Sequence, residues 1–200
     1  MCSIIGYSGE YDKKLVEQLM FNSRIRGLHS FGYSFFEDKE LVTKKFLDYK
    51  KFIDNINKDK PTKFIAHFRY STSGEYTNQE NNQPIVKNGS AMVFNGVIDM
   101  GSKKELEEKY KTKLISCNDG EVVLNIFNQA AEEVRDFIKN KTFAGLFLKD
   151  NKITVIKNRL RPCYLGVKND IKVIASTKDI LKRSGIENAK TVKPLVYNEL

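Results

Sequence analysis

The chain has no tryptophan, three cysteines, two histidines and four prolines in 200 residues, and each scarcity excludes something. Cys2, Cys117 and Cys163 form neither a Cys-x-x-Cys pair nor an even framework, and His29 and His67 lie far apart. A structural zinc site or a disulfide scaffold is therefore not expected, nor is a metal or another cofactor. Four prolines and twelve glycines exclude a collagen-like or linker-dominated chain. No run of about 18 apolar residues occurs, so no membrane-spanning helix is expected. Residues 1–6 lack a basic segment followed by a long apolar one. No secretory signal is read, and a reducing cytoplasm is the expected compartment. Arginine is scarce too: only seven of the 34 basic residues are Arg, the usual reader of bases and phosphates.

What is present describes a globular domain. Hydrophobic residues make up 40% and charged residues 30%, and thirteen Phe with nine Tyr supply the bulk of a core. The length suits one domain spanning residues 1–200. The net charge of +9 comes from lysines spread along the chain and interleaved with 25 acids. That pattern reads as a solvated surface, not as a nucleic-acid face.

Periodicity divides the chain into short elements. Residues 3–7 read as a strand that begins almost at the amino terminus, and residues 12–22 as a helix with Leu15, Val16, Leu19 and Met20 on one stripe. Strands are expected at 31–37, 41–46, 63–68 and 91–94, with a short helix at 49–58. Between residues 73 and 83 the chain is polar and has little apolar anchorage, so a mobile loop is expected there. Ser102 followed by Glu105 is a capping-box pattern. Residues 119–137 form the longest helical stripe. From residue 142 onward the pattern turns to hairpins, with strands at 143–148, 153–156, 163–167 and 172–175 and a short helix at 177–183. Hairpins with helices grouped between them argue for an α+β fold.

Four positions could carry chemistry. Removal of Met1 would leave Cys2 with a thiol and a free α-amine on one residue, with reference pKa values of about 8.5 and about 7.7–8.0. The amine can then take the thiol proton, directly or through a water. The alternative is an inert terminal residue. Asn95-Gly96 ends a strand pattern, which fits either an ordinary turn or an oxyanion hole built from a side-chain amide and the next backbone N–H. Arg69 could clamp a carboxylate or join a surface ion pair. Asp119 could cap the long helix or pair with an ammonium group.

Six stretches, in order, resemble the class II glutamine amidotransferases, whose glutaminase domain is an N-terminal-nucleophile hydrolase. Met1-Cys2-Ser3-Ile4-Ile5-Gly6 is similar to the family's opening Met-Cys-Gly-Ile, and Arg26-Gly27-Leu28-His29-Ser30-Phe31-Gly32 to its Arg-Gly-x-Asp-x-x-Gly. His67-Phe68-Arg69-Tyr70-Ser71-Thr72-Ser73-Gly74, then Asn82-Gln83-Pro84, most resembles the amidophosphoribosyltransferase branch. Phe94-Asn95-Gly96 resembles His-Asn-Gly, Asp119-Gly120-Glu121-Val122 resembles Asp-Thr/Ser-Glu-Val, and Arg159-Leu160-Arg161-Pro162 through Gly166 resembles Gly-x-Arg-Pro-x-x-x-Gly.

The resemblance implies a four-layer αββα sandwich of two mainly antiparallel sheets, and glutamine hydrolysis through a glutamyl thioester on Cys2. It implies that Asn95 and the Gly96 N–H hold the oxyanion. Arg69 would bind the substrate carboxylate, Asp119 its ammonium, and Thr72 and Gly96 would line the glutamine pocket. The ammonia would pass to a separate acceptor enzyme or synthetase subunit, since no synthetase domain is read in the 200 residues. Three departures stand out: Ser3 replaces a Gly, His29 an Asp and Phe94 a His. Ser3 and His29 favour the rival reading of a catalytically inactive regulatory or scaffold subunit. An N-terminal-cysteine amidohydrolase acting on another small amide is a further alternative.

Overall fold

Strands near the centre of the molecule divide their side chains between two different cores, and this alternation sets the layer order. The computed structural model describes residues 1–71 and 75–200. In β1 (Ser3–Ser8), Ile5 and Tyr7 enter one core and Ile4 another. In β4 (Lys63–Arg69), Phe64, Ala66 and Phe68 join the first core and Ile65 the second. The same alternation runs through β2 (Ser30–Glu37), β3 (Glu40–Phe46), β9 (Tyr164–Lys168) and β10 (Ile171–Ala175). With the short β11 (Lys190–Thr191) these strands form a seven-stranded sheet in the order β11-β9-β10-β1-β4-β2-β3.

The second sheet is ordered β12-β8-β7-β6-β5 and comprises β5 (Ile85–Lys87), β6 (Ser90–Val97), β7 (Thr142–Lys149), β8 (Lys152–Lys157) and β12 (Asn198–Glu199). Ala91 and Val93 of β6 and Ala144, Leu146 and Leu148 of β7 face the first sheet, while Met92, Phe94, Phe143 and Phe147 face the other way. All the strand pairings in both sheets are antiparallel. Helices α1 (Lys13–Ser23), α2 (Tyr49–Asp59) and α6 (Lys178–Arg183) cover the first sheet, and α4 (Gly120–Gln129) and α5 (Val134–Ile138) cover the second. Helix α3 (Lys103–Tyr110) packs Leu106 against Val122 of α4. The result is the expected α+β, four-layer αββα sandwich. No described helix is long and apolar enough to cross a membrane.

Local chemistry fixes the ends of the elements. Asp12, Asp48, Ser102 and Thr177 cap α1, α2, α3 and α6 through their side chains, and Ser102 with Glu105 completes the expected capping box. Asp38-Lys39, Asp150-Asn151 and Asn169-Asp170 take positive φ at both positions, the backbone of tight hairpins. So does Asn88-Gly89, which joins β5 to β6.

Three expectations need correction. Asn95-Gly96 is not a turn: it lies inside β6, opposite Ala144 and Phe143. A Cβ on Gly96 would fall 1.8 Å from the Thr142 carbonyl oxygen, so the glycine serves close strand approach. The long helix of residues 119–137 is broken at Ala130, which is extended (φ −152°, ψ 91°). The break lets Val134 and Ile138 of α5 reach Phe143, Phe147 and Ile156. The polar segment after residue 74 is also better anchored than its composition suggests. Asn81 Nδ2 donates to the Glu75 carbonyl, Asn82 Nδ2 donates to that of Tyr76, and Asn81 Oδ1 accepts from the Cys117 N–H.

Leu146 is fully buried between the sheets and against Gly6. Truncation to alanine should cost about 2–5 kcal/mol, the usual range for a closed core site. Urea unfolding should show a lower midpoint with an unchanged slope. A variant as stable as the parent would mean that the sheets do not meet as described.

Candidate functional site

β1 lies between β4 and β10, and its first residue, Ser3, follows Cys2 directly. Ile4 donates its N–H to Ser176 Oγ at 2.9 Å, and its carbonyl accepts from the Ser176 N–H at 3.2 Å. The chain start is therefore tied on both sides. Cys2 shares the parity of Ile4, which turns it toward the inter-sheet layer at the end of the strand. It is half-buried and opens into a cavity of about 310 Å³. Its thiol lies 3.8 Å from the Tyr70 carbonyl, and its own carbonyl accepts a 3.0 Å bond from Arg26 Nε. Burial pushes the thiol above its ordinary pKa, against the pull of the terminal ammonium, Arg69 and Arg26. The thiolate is thus not stabilised by its surroundings alone.

Arg69, Gly96 and Asp119 line the same cavity. Arg69 closes β4, largely buried, and its Nη1 donates to Asn82 Oδ1. Asp119 does not cap α4 with its side chain. Its carboxylate instead accepts from the N–H groups of Ile98 (2.6 Å) and Asp99 (3.1 Å), while Asn118 Oδ1 accepts from Gly120 N. Burial raises the Asp119 pKa, and these backbone donors oppose the rise. Gly96 belongs to the rim through its backbone. The N–H of Phe94 is taken by Gln83 Oε1 at 2.6 Å, beyond the end of the β5 ladder. Two residues on, the Gly96 N–H points off the same edge of β6, away from β7.

Asn95 is not among the residues that line the cavity. It is buried on the face of β6 shared by Ala91 and Val93, and its Nδ2 has no hydrogen-bond partner among the described residues. A buried amide donor without a partner is costly and invites an acceptor. Thr72 lies outside the described residues.

Three residues that the sequence reading quoted within motifs, without giving them a role, belong to the site. Arg26 holds the Cys2 carbonyl. The strap that carries it reaches β4 because Gly27 has no side chain: a Cβ there would sit 2.5 Å from the Phe68 carbonyl oxygen. Asn82 holds Arg69. His67 is fully buried, lines the cavity and is kept neutral, its pKa driven down to about 3 by burial and then by Arg69 and Lys45. Among the described residues neither ring nitrogen makes a well-formed hydrogen bond, and the Phe94 backbone opposes the fall only weakly. The signal for Arg26 and Asn82 was their position in Arg-Gly and Asn-Gln-Pro. For His67 it was the two-residue spacing to Arg69 on one strand.

The departures find local explanations. Ser3 is regular strand opposite Phe68 and is not among the residues with positive φ, so nothing in its backbone demands glycine. His29 Nδ1 accepts the Ser71 N–H at 2.9 Å, and its ring stacks on Tyr70 and on Tyr76, each at 5.0 Å. The Phe94 ring turns outward against Gly120 and stacks on Phe143. Among the described residues there is no cluster of His, Cys, Asp and Glu suited to a metal ion.

No family model matches the chain, and no curated protein matches it. Solved structures do share the fold. One is the glutamine phosphoribosylpyrophosphate (PRPP) amidotransferase from B. subtilis complexed with ADP and GMP. It is 20% identical, with a TM-score of 0.76 over 100% of this chain and 49% of that one. A second, described as the allosteric regulatory enzyme of purine biosynthesis, is 20% identical, with a TM-score of 0.72 over 96% of this chain and 45% of that one. A third, a glutamine aminotransferase class-II domain protein from Silicibacter pomeroyi, is 11% identical, with a TM-score of 0.62 over 100% and 98% of the two chains. The chain thus spans about half the length of the first two. At these identities the likeness is one of fold.

The raised thiol pKa of Cys2 makes a prediction for the chain that retains Met1. In a Cys117→Ser background, Cys163 is fully buried and Cys2 is the accessible thiol. Its alkylation by iodoacetamide should rise with pH along a curve centred above the ordinary thiol range, because burial disfavours the thiolate. A midpoint at or below that range would contradict the described environment.

Proposed function

We propose that the chain is a class II glutamine amidotransferase glutaminase domain, which hydrolyses the side-chain amide of glutamine and supplies ammonia to a separate acceptor enzyme. The observation that carries this reading is one cavity shared by a thiol, a guanidinium and a carboxylate, from Cys2, Arg69 and Asp119. Opposite charges at two ends suit an α-amino-acid zwitterion, with Arg69 on its carboxylate and Asp119 on its ammonium. The thiol is then left for the side chain. This complementarity favours glutamine over an amide without those charges. The regular strand backbone at Ser3 supports an active enzyme over an inactive scaffold.

In this mechanism Met1 is removed, and the new α-amine of Cys2 takes the thiol proton as sulfur attacks the amide carbon. The amine supplies what the buried thiol lacks, a base at bonding distance. Negative charge moves to the amide oxygen, where the Asn95 Nδ2 and the Gly96 N–H receive it. The carbon–nitrogen bond then breaks, the α-ammonium returns its proton to the leaving nitrogen, and ammonia departs. Water, deprotonated by the same amine, hydrolyses the thioester to glutamate and restores the thiol. A reducing cytoplasm would keep Cys2 competent. The net charge of +9 would steer an acidic acceptor face toward the domain.

Intact mass of active protein should show Met1 missing, and Cys2→Ala should abolish ammonia release without lowering thermal stability appreciably. Activity with Met1 retained, or in the alanine variant, would remove the proposed base or nucleophile.

Arg69→Lys keeps the charge but loses the planar fork, so it should raise the KM for glutamine more than it lowers kcat. Asn95→Ala should do the reverse, lowering kcat by roughly 100- to 1000-fold. Steady-state kinetics in which both variants change KM and kcat alike would collapse the division of roles.

A further inference from the structure

Lys45 has no part in the chemistry above, yet it is placed close to it. It lies on β3 opposite Gly32, and its Nζ donates to the Gln79 carbonyl at 3.0 Å. With Glu80, Ser116 and Glu121 it lines a small cavity of about 110 Å³, separate from the Cys2 cavity. Glu121 is already engaged by the N–H groups of Ile115 and Ser116, by Ser116 Oγ, and by Lys87 at 3.6 Å. The lysine therefore does not serve mainly as that carboxylate's counter-ion. Its ammonium is partly desolvated, and burial brings its pKa down to about 8, with Glu80 and Glu121 opposing the fall and Arg69 adding to it. Keeping such a group here costs stability, and the Gln79 carbonyl is the partner it meets.

From Gln79 the contacts run to Arg69. The 3-10 turn Gln79–Asn81 closes when the Gln79 carbonyl also accepts the Asn82 N–H at 3.2 Å. Asn82 Nδ2 donates to Gln79 Oε1 at 3.0 Å and to the Tyr76 carbonyl at 2.7 Å. Both amide hydrogens are used, so the amide plane is fixed and its oxygen is aimed. That oxygen accepts from Arg69 Nη1.

We propose that Lys45 is a positioning residue for Arg69: it anchors the turn at Gln79, and the turn's next residue, Asn82, sets the guanidinium. This rests on the reading of Arg69 as the carboxylate-binding group of the substrate. It makes Lys45 a determinant of selectivity for a free α-carboxylate, although Lys45 itself touches no substrate.

The test uses Lys45→Met, which keeps an unbranched stem and loses the donor, and Lys45→Gln, which keeps a neutral donor. With L-glutamine, Lys45→Met should raise KM roughly tenfold or more, the effect of losing one charge-assisted bond, while kcat stays within about twofold. Lys45→Gln should fall between Lys45→Met and the parent. With L-glutaminamide, which lacks the α-carboxylate, kcat/KM should not change. Hydrogen exchange gives a readout independent of turnover: the Asn81 and Asn82 amides, both bonded within the turn, should exchange faster in Lys45→Met. Unchanged KM with unchanged exchange would overturn the proposal, and so would an equal loss with both substrates. If the parent enzyme releases no ammonia from glutamine, the glutaminase reading fails, and the exchange data still decide whether Lys45 anchors the turn.

Discussion

Antiparallel pairing of β1 between β4 and β10 is the constraint on which the site depends. A terminal residue is ordinarily frayed, and a frayed thiol has no fixed relation to other groups. Here the six residues after Cys2 pair with β4, Ser3 to Ser8 with Phe68 to Lys63, and the last four of them also pair with β10, Ile5 to Ser8 with Ala175 to Lys172. The position of Cys2 is thus inherited from two ladders, and Arg26 adds a bond to its carbonyl. Because β4 runs antiparallel to β1, the end of β4 arrives where β1 begins. The register that puts Ile4 beside His67 carries Arg69 to the same rim as Cys2. A shift of one residue would reverse every face of β1 and take the thiol out of the inter-sheet layer.

The second sheet completes the rim where its ladder stops. β5 pairs with β6 over only three residues, which leaves the edge of β6 beyond Met92 without a strand partner. Gln83 fills part of the gap with a side-chain amide. Asn81 ties the same segment to Cys117 and Asn118, next to Asp119. A row of amides thus does what an extra strand would do. It satisfies backbone groups while leaving Gly96, among the described residues, without a strand partner on that edge. The arrangement trades ladder regularity for a backbone donor beside the Cys2 thiol that, among the described residues, has no strand partner, a form of local inconsistency expected at a functional site.

Much of this was legible in the sequence because it is local. Period-two alternation marked the strands, and Ser102 and Glu105 marked a helix start. Other features were hidden because their causes are not local. Asn95-Gly96 carries the composition of a turn, but the approach of the Thr142 backbone makes it strand. Asp119 stands where a cap belongs, yet Asn118 takes that task and frees the carboxylate for residues 98 and 99. The helical stripe over 119–137 continues through Ala130 in the sequence, and the break appears only once the packing of Val134 and Ile138 on β7 and β8 is seen. The anchoring of residues 75–83 by amides was hidden for the same reason, since a polar loop and a polar network have one composition.

The electrostatics of the cavity bear on why the proposed mechanism gives the role of base to a terminal amine and not to a nearby side chain. Three of the cavity's titratable groups are pushed toward neutrality: burial raises the thiol of Cys2 and the carboxyl of Asp119, and drives His67 down to about 3. His67, the side chain that would ordinarily deprotonate a thiol, is fully buried and faces the positive charge of Arg69, which disfavours its protonated form. A proton taken from sulfur therefore has no stable home on that imidazole. An α-amine at the tip of β1 sits on the same residue as the thiol and outside the packed layer. Burial would penalise it less, and its ordinary pKa lies near neutral pH. Depth and a cationic neighbour make His67 a poor base, and that neighbour, Arg69, is the group proposed for the substrate carboxylate. In the proposed mechanism, base and carboxylate clamp thus separate onto the ends of two neighbouring strands, β1 and β4.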